Sequence, residues 1–391
     1  MAAGSDVSKG GLARRAFLAG IAGGMFGLLG LRRARAEETH VVGLVLPPTP
    51  SAATLIEQGA LLGLDEANAL AVLFGKRLRL EAEMAADGGA VGAAARKLVG
   101  QARAIALVGG AGPRVADALR DAAAAESVLF LNVAAPDDQL RQDRCARQVF
   151  HLLPSVAMFV DALGQWLAGR QRLVRWTLTS DGTARATEIE AAARRTLGRH
   201  GGALVSPGDA ADVMLLALDP ANSREALARV RGAARPEALA GIGWELPGGL
   251  GAEEARGTWA VGWHPELEQF SGRELNTRFH RRFGVPLTEI SWAAWAAVKL
   301  IGEALVRGNA TSADRVVTFL ESAPPFDGHK GTALTFRSWD HQLRQPVYVI
   351  GPRKRAEGAG GRSPFAVLAQ LPGPNLDSLG TGAGETRCRL T

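Results

Sequence analysis

Short apolar runs alternate with segments of helical spacing over the first part of the chain, from residue 40 onward. Because two parallel strands need a crossover of about a dozen residues, usually a helix, this alternation predicts parallel pairing. The pattern is typical of a doubly wound α/β lobe. The predicted strands are 40–46, 77–84, 104–108 and 128–133, with helices at 51–74, at 90–103 and from residue 113.

A second alternation of the same kind begins after residues 150–155, which predict a crossing into a second lobe. Ligands of open α/β sheets bind beyond the carboxyl ends of the strands, so two such lobes whose loops face one another would enclose a cleft. The helices and strands predicted for the second lobe are 156–168, 173–179, 183–200, 212–218, 223–234 and 238–243.

The pattern becomes helical after residue 263 and returns to strand periodicity at 331–350, with a predicted hairpin turn at 338–341. The Arg-, Lys- and Gly-rich stretch that follows predicts a loop. The later helices are predicted at 266–283, 289–307 and 312–321. We therefore expect lobe 1 to comprise residues 38–153 and 265–320, lobe 2 to comprise residues 154–264 and 321–352, and a C-terminal tail to comprise residues 353–391.

The first 36 residues have the features of an export leader. A basic segment precedes the apolar run 16–31, and residues 34–36 form a small-x-small cleavage site, as in a secretory signal peptide. Residues 12–18, LARRAFL, resemble the twin-arginine export motif, in which paired arginines precede a hydrophobic residue and leucine. The alternative is a retained membrane anchor, but the apolar run of about 16 residues is shorter than the roughly 20 that span a bilayer. We expect cleavage near Ala36 and a mature periplasmic protein.

The net charge of +6 belongs mostly to this leader, which carries a surplus of five basic residues. The rest of the chain is nearly neutral, so its composition gives no reason to expect a nucleic-acid partner. A hydrophobic content of 47% with 21% charged residues is ordinary for a globular protein.

Known catalytic and metal-binding motifs are missing from the sequence, which contains no G-x-S-x-G, C-x-x-C, H-E-x-x-H or P-loop pattern. His264, Glu266 and Glu268 could form a metal patch, but two acids at a predicted helix start are better explained by the helix dipole. The turn at 110–112 holds half of a dinucleotide fingerprint and follows the third strand, which argues against a Rossmann oxidoreductase. We therefore expect neither an enzyme nor a bound metal or cofactor.

Two loops at the ends of predicted strands are the candidate ligand contacts of lobe 1. The glycine turn at 110–112 would offer free backbone N–H groups at the N-terminus of the helix that begins with Pro113, which suits a carboxylate or another anion. A tight turn that merely packs is the alternative. The candidates in these loops are Gly110, Ala111, Gly112, Ala134 and Ala135.

Ser180, Asp181 and Glu245 lie at the ends of predicted strands of lobe 2 and are its candidate ligand contacts. Asp181 precedes Gly182, so a role as a turn residue is the alternative. Glu245 is the better candidate, because an acid beside an aromatic residue, here Trp244, could hold an ammonium group or a cation.

The sequence contains two cysteines, Cys145 and Cys388, which would lie in an oxidising compartment after export. A disulfide bond between them would tie the C-terminal tail to the first lobe. Two unpaired buried thiols are the alternative, since sequence separation alone does not show that the geometry is met.

Several short sequence motifs, which we call the sequence words, resemble those of a known family. They are PSVAMFVDAL at 154–163, KGTALTFRSWD at 330–340, QLRQP at 342–346, LDSLG at 376–380 and ETRC at 385–388. Together with the two alternations, they resemble periplasmic solute-binding proteins of the branched-chain amino-acid type, and within them a subfamily associated with pyrroloquinoline quinone-dependent alcohol dehydrogenase systems. The resemblance implies the type 1 fold, in which two doubly wound three-layer lobes are joined by three crossovers.

The resemblance also implies a function. Such a protein is a monomer that captures a small solute in the cleft between its lobes and presents it to an inner-membrane ABC permease driven by an ATPase. The family usually holds the α-carboxylate of an amino acid with serine or threonine hydroxyls, whereas this chain has small residues at 110–112 and 134–135 and would rely on backbone donors. A non-transporting periplasmic sensor, or an accessory or metal-binding factor of the dehydrogenase, is the alternative.

Overall fold

The computed structural model describes residues 37–218, 238–242, 257–269, 271–353 and 363–390. Its first sheet consists of parallel strands that are covered by helices on both faces. The strands are β1 (Glu38–Leu46), β2 (Lys76–Met84), β3 (Ala104–Gly109), β4 (Leu129–Asn132) and β5 (Val149–His151), in the spatial order β2-β1-β3-β4-β5. The helices between them are α1 (Pro50–Ala71), α2 (Gly88–Gly100) and α3 (Pro113–Ala125).

The buried pattern of this sheet explains how its strands arise from the sequence. All four residues of β4 are buried, because a parallel strand covered on both faces exposes neither side to water. β2 lies at the edge of the sheet, and its alternation of buried and exposed residues is that of a half-exposed strand. The sequence pattern at 77–84 predicts that difference correctly.

The second sheet contains parallel strands and two antiparallel strands at one edge. Its strands are β6 (Arg175–Ser180), β7 (Ala203–Leu204), β8 (Val213–Ala217), β9 (Ala238–Ile242), β10 (Thr258–Val261), β14 (Val347–Pro352) and β15 (Phe365–Leu371), in the order β15-β14-β10-β9-β8-β6-β7. The helices α4 (Val156–Gly164), which continues as a π-helical stretch at Gln165–Arg170, and α5 (Ala184–Arg199) pack beside it.

Three helices follow β10 and return to the first sheet: α6 (Gly272–Phe283), α7 (Glu289–Arg307) and α8 (Ala313–Glu321). α7 packs closely along α1. The contact depends on two glycines of α1, Gly59 and Gly63, because a Cβ atom at Gly63 would lie 2.5 Å from the carbonyl oxygen of Trp295. A small three-stranded sheet of β11 (Phe326–Asp327), β12 (Ala333–Phe336) and β13 (Leu343–Arg344) follows α8.

The chain therefore crosses between the two sheets three times: between β5 and α4, between β10 and α6, and between β13 and β14. This is the type 1 architecture that the sequence resemblance implies, with two α/β lobes joined by three crossovers. Among the described residues, no helix has both the length and the apolar character needed to cross a membrane.

The structure corrects several predictions in the last third of the chain. The expected tail contains β15, which pairs antiparallel with β14 and extends the second sheet. The predicted hairpin is shorter, because β12 pairs with β13 and the later strand β14 joins the second sheet instead. Phe326, Leu334 and Phe336, which we expected in lobe 2, pack in the core of the first sheet.

Two further predictions from the sequence have different outcomes. The helix predicted from residue 266 begins at Gly272, so Glu266 and Glu268 precede it and do not cap its first turn. Glu266 instead pairs with Arg353 and accepts a hydrogen bond from the N–H of Ser363. The predicted helix at 223–234 lies outside the described residues.

Candidate functional site

The turn after β3 has a backbone conformation that requires glycine. Gly110 and Gly112 have φ angles of 101° and 97°, which residues with a side chain rarely adopt. A Cβ atom at Gly110 would also lie 2.8 Å from Oδ1 of Asn132. Gly112 is the N-cap of α3, and Pro113 occupies the first turn of that helix. Ala111 is half-buried between the two glycines, at a helix N-terminus whose first N–H groups suit an anion.

Asn132, the last residue of β4, organises the neighbouring loop. It is fully buried, and its Oδ1 accepts hydrogen bonds from the N–H groups of Ala134 at 3.3 Å and Ala135 at 2.9 Å. Its Nδ2 donates to the carbonyl oxygen of Ala135 at 2.8 Å. The two backbone donors that the sequence offers to a ligand are therefore already bonded within the loop, and Ala135 has no exposed surface.

The loop after β6 carries Ser180 and Asp181. Ser180 Oγ accepts a hydrogen bond from the N–H of Gly182 at 3.1 Å. Asp181 Oδ1 accepts from the N–H of Thr183 at 3.1 Å and from its hydroxyl at 2.7 Å, while Thr183 caps α5. Both candidates thus shape the turn that leads into α5. Glu245 and its neighbour Trp244 lie outside the described residues.

The carboxyl edges of the two sheets meet close to these loops. Asp138, in a short 3₁₀-helix at Asp138–Arg141 that follows β4, donates its N–H to Oε2 of Glu188 at 3.2 Å. Glu188 belongs to α5, which follows β6. Burial and the nearby carboxylate of Asp138 raise the pKa of Glu188 to about 7. A groove of about 390 Å³ separates the two lobes beside this contact.

A buried arginine joins this loop to the first crossing and to the turn that precedes β13. Arg141 is 3% exposed; its Nε donates to Oε1 of Gln342 at 2.6 Å and its Nη2 donates to the carbonyl oxygen of Leu153 at 2.8 Å. Gln342 in turn donates through Nε2 to the carbonyl oxygens of His151 and Leu153. Burial lowers the pKa of Arg141 to about 10, so the guanidinium remains charged at neutral pH.

A second buried cation, Lys330, lies where the crossings come together. Its Nζ donates to Oε1 of Glu289 at 2.9 Å and to Oε1 of Gln345 at 2.7 Å. The same atom is 3.8 Å from the centre of the Trp292 ring, within the range of a cation–π interaction. Gln345 also donates to the carbonyl oxygen of Leu152, so lobe 1, Lys330 and the first crossing share one network.

The sequence signals for these residues differ. Asn132 is a polar residue inside the apolar run 128–133, and that interruption could have drawn attention to it. Nothing in the local pattern marks Arg141. Lys330, Gln342 and Gln345 lie within the sequence words that carry the family resemblance. The late tryptophans Trp292, Trp295 and Trp339 are predicted as core residues rather than a binding platform. Trp292 and Trp295 are fully buried, whereas Trp339 is only half-buried.

A comparison with models of protein families shows which family has this architecture. A family model described as periplasmic binding protein matches residues 42–213 and 208–356. The chain belongs to the periplasmic binding protein family. No curated protein sequence matches this periplasmic binding protein.

Solved structures of similar fold cover nearly the whole protein. A periplasmic binding protein from Burkholderia mallei has a TM-score of 0.74 at 20% identity and covers 90% of this chain and 99% of its own. A branched-chain amino acid ABC transporter periplasmic ligand-binding protein from Burkholderia xenovorans has a TM-score of 0.76 at 16% identity, with 90% and 99% covered. A solute-binding protein of an ABC transporter from Rhodopseudomonas palustris, in complex with 3,4-dihydroxybenzoic acid, has a TM-score of 0.71 at 17% identity, with 89% and 99% covered.

The three residues considered as a metal patch, His264, Glu266 and Glu268, interact with other groups of this periplasmic binding protein. His264 is buried, its Nδ1 accepts the N–H of Glu266 at 3.1 Å, and burial lowers its pKa to about 4. The Glu266 carboxylate is bound by Arg353, and Glu268 pairs with Arg273 at 2.8 Å. Within the described ranges, no group of three or more His, Cys, Asp or Glu side chains has the arrangement of a metal site.

Proposed function

We propose that this periplasmic binding protein captures one small solute between its lobes, closes over it by hinge motion and delivers it to an inner-membrane ABC permease and its ATPase. The observation that carries the proposal is the contact between Asp138 and Glu188, which brings the carboxyl edges of the two sheets together. Loops at such edges are the usual position of ligands in α/β sheets. The fold relatives from Burkholderia xenovorans and Rhodopseudomonas palustris are components of ABC transporters by name.

The solute that fits best carries a carboxylate or another anion. The turn at residues 110–112 leads into the N-terminus of α3, where N–H groups and the helix dipole favour negative charge. The loop at Ala134 and Ala135 contributes shape rather than hydrogen bonds, since Asn132 occupies its donors. Glu245 remains the proposed partner for an ammonium group of the solute.

The cellular setting follows from the family and from the sequence words. We infer export through the twin-arginine pathway, cleavage near Ala36 and action in the periplasm. The words that resemble the subfamily of pyrroloquinoline quinone-dependent alcohol dehydrogenase systems favour a solute produced or required by alcohol oxidation. A non-transporting sensor or accessory factor would bind in the same cleft without delivering the solute.

A thermal-shift screen tests the proposal. The purified protein is heated with amino acids, short-chain acids, aldehydes, pyrroloquinoline quinone, and calcium or lanthanide ions. A ligand at 100 times its Kd stabilises the folded state by about 2.7 kcal/mol, which is a clear shift in Tm. We expect a carboxylate-bearing solute to shift Tm without being converted; stabilisation by metal ions alone would favour the accessory-factor alternative, and product formation would refute both.

A matched pair of variants locates the solute. Ala111→Glu adds a negative charge beside the N-terminus of α3, whereas Ala111→Gln adds nearly the same bulk without charge. We expect the first variant to weaken binding of the carboxylate at least tenfold more than the second. Equal affinities of the two variants for the carboxylate would show that the turn at residues 110–112 is not part of the binding site.

A further inference from the structure

The C-terminal segment is attached to both lobes. Leu379 is fully buried in the core of the second sheet, and the N–H of Gly380 donates to Oδ2 of Asp161 in α4 at 2.8 Å. A Cβ atom at Gly380 would lie 2.8 Å from Cγ of Met158, so the chain passes directly over α4 at this point. Arg337 donates to the carbonyl oxygen of Leu379 at 2.6 Å. The contacts of Leu379 and Gly380 therefore fix one end of the segment to lobe 2, beside the turn between β12 and β13 that carries Arg337.

The other end is fixed to lobe 1 by a covalent bond. Cys388 forms a disulfide with Cys145, with the two Cα atoms 5.6 Å apart. Cys145 lies in the loop between β4 and β5, and the adjacent Arg144 pairs with Asp117 of α3 at 2.8 Å. Arg387 adds an ion pair to Asp143 at 2.6 Å. The disulfide therefore fixes to lobe 1 a segment whose other end is anchored on lobe 2.

The segment between these anchors spans the groove that separates the lobes. Thr381, Glu385 and Arg387 line one wall of the groove of about 390 Å³. Gln142 of lobe 1 and Thr187 of lobe 2 line its other walls. The lobes are consequently not packed face to face under the segment. Beside it they are joined by the hydrogen bond between Asp138 and Glu188, which opening of the lobes would break.

The strength of the connections decides which of them limits that separation. Glu385 pairs with Arg199 of α5 at 3.3 Å, but both side chains are exposed, and exposed ion pairs contribute little. The buried anchor at Leu379 and Gly380 and the disulfide at Cys388 are much harder to break. Between Gly380 and Cys388 the fully extended chain would reach about 26–29 Å, which sets a hard limit.

We propose that residues 380–388 form a covalent strap that limits how far the two lobes separate on the α5 side of the groove. The strap contains a turn, in which the N–H of Glu385 donates to the carbonyl oxygen of Gly382 at 3.0 Å. The lobes can open while this turn unfolds, and opening stops when the segment is extended. The inference concerns the range of the hinge and is independent of which solute the cleft holds.

Small-angle X-ray scattering of the solute-free protein tests the strap. In one variant, six Gly and Ser residues are inserted between Gly382 and Ala383, where a glycine Cβ atom would meet no neighbour. The disulfide is kept, so the variant lengthens the strap without removing the cross-link. The control carries the same insertion after Gly208, in an exposed turn of lobe 2.

We expect the strap insertion to increase the maximum dimension and the radius of gyration relative to the control, by no more than the roughly 20 Å that six extended residues span. The double variant Cys145→Ser, Cys388→Ser should expand in the same way, with circular dichroism verifying that it is folded. Scattering of the strap insertion identical to that of the control would overturn the proposal. A failed solute screen would leave this result unaffected, so the two proposals can fail separately.

Discussion

Asn132 shows how one side chain can determine what a binding loop offers. Its amide bonds with both Ala134 and Ala135, and it fills the space that a side chain at Gly110 would need. It also approaches Nδ1 of His151, with Nδ2 at 3.0 Å. One buried residue thus contacts the loop after β3 and the loop after β4. A change at Asn132 therefore affects both of the lobe 1 loops in the proposed site.

Replacing Asn132 by Ala or by Leu should therefore be costly. Either change leaves the buried N–H groups of Ala134 and Ala135 without these partners, and each such group costs about 1–3 kcal/mol. We expect a loss of about 2–5 kcal/mol in the free energy of unfolding, measured by chemical denaturation. A loss below about 0.5 kcal/mol would mean that the loop finds other partners and that Asn132 does not organise it.

Residue-scale chemistry was the least predictable from the sequence. The pattern places Gly110, Gly112, Ser180 and Asp181 correctly at strand ends, because strand ends follow from apolar runs. It does not predict that the donors at Ala134 and Ala135 are used internally, since this depends on where the Asn132 side chain points. Nor can it pair Lys330 with Glu289, which are far apart in the chain.

At the scale of elements, the three crossings are fastened by buried polar groups rather than by apolar packing alone. Lys330 is fully buried between Glu289 and the Trp292 ring. A buried ion pair contributes modestly as a whole, but removing one partner leaves an uncompensated charge, at a cost of about 3–5 kcal/mol. The pair therefore fixes the geometry of the crossings more than it adds stability.

A double-mutant cycle tests this role. Lys330→Met keeps most of the side-chain volume and removes the charge, so we expect it to destabilise the protein by about 3–5 kcal/mol. Adding Glu289→Gln should recover part of that loss, because the carboxylate left without a partner becomes neutral. Chemical denaturation of the four proteins gives the coupling energy. Additive losses would show that the two residues act independently.

Elements were more predictable than contacts. The predicted strands and helices of the first 150 residues match β1 to β4 and α1 to α3 closely, because apolar spacing directly reflects which faces are buried. Errors concentrate after residue 321, where short strands pair over long distances. β15 was missed because residues 365–371 alternate weakly and follow a basic, glycine-rich stretch.

At the scale of the whole molecule, the stability of the folded state depends on pH through two buried histidines and through Glu188, which lies between the lobes. Their contributions change with pH in opposite directions. Burial lowers the pKa of His264 and of His341 to about 4. Their contribution to stability is present above the unfolded pKa of about 6.5 and is lost as the pH falls toward 4. The pKa of Glu188 is raised to about 7, so its contribution is present below about 4.5 and is lost as the pH rises through 7.

The variant Glu188→Gln tests the interlobe contribution. It removes a carboxyl group whose pKa is raised to about 7 in the folded state by burial and by the neighbouring Asp138 and Asp137. We expect the Tm of the variant, relative to the unmodified protein, to be higher at pH 8 than at pH 5. Glu190→Gln, on the more exposed face of the same helix, is the control. Equal Tm differences at the two pH values would contradict the assignment.

The central claim is that two lobes grip one solute and release it unaltered. The most direct test is equilibrium dialysis of the best stabilising compound from the thermal-shift screen, followed by mass spectrometry of the compound recovered after the protein is denatured. The account predicts one molecule bound per chain and a recovered compound of unchanged mass. Recovery of a chemically altered compound, or binding of several molecules per chain, would contradict it.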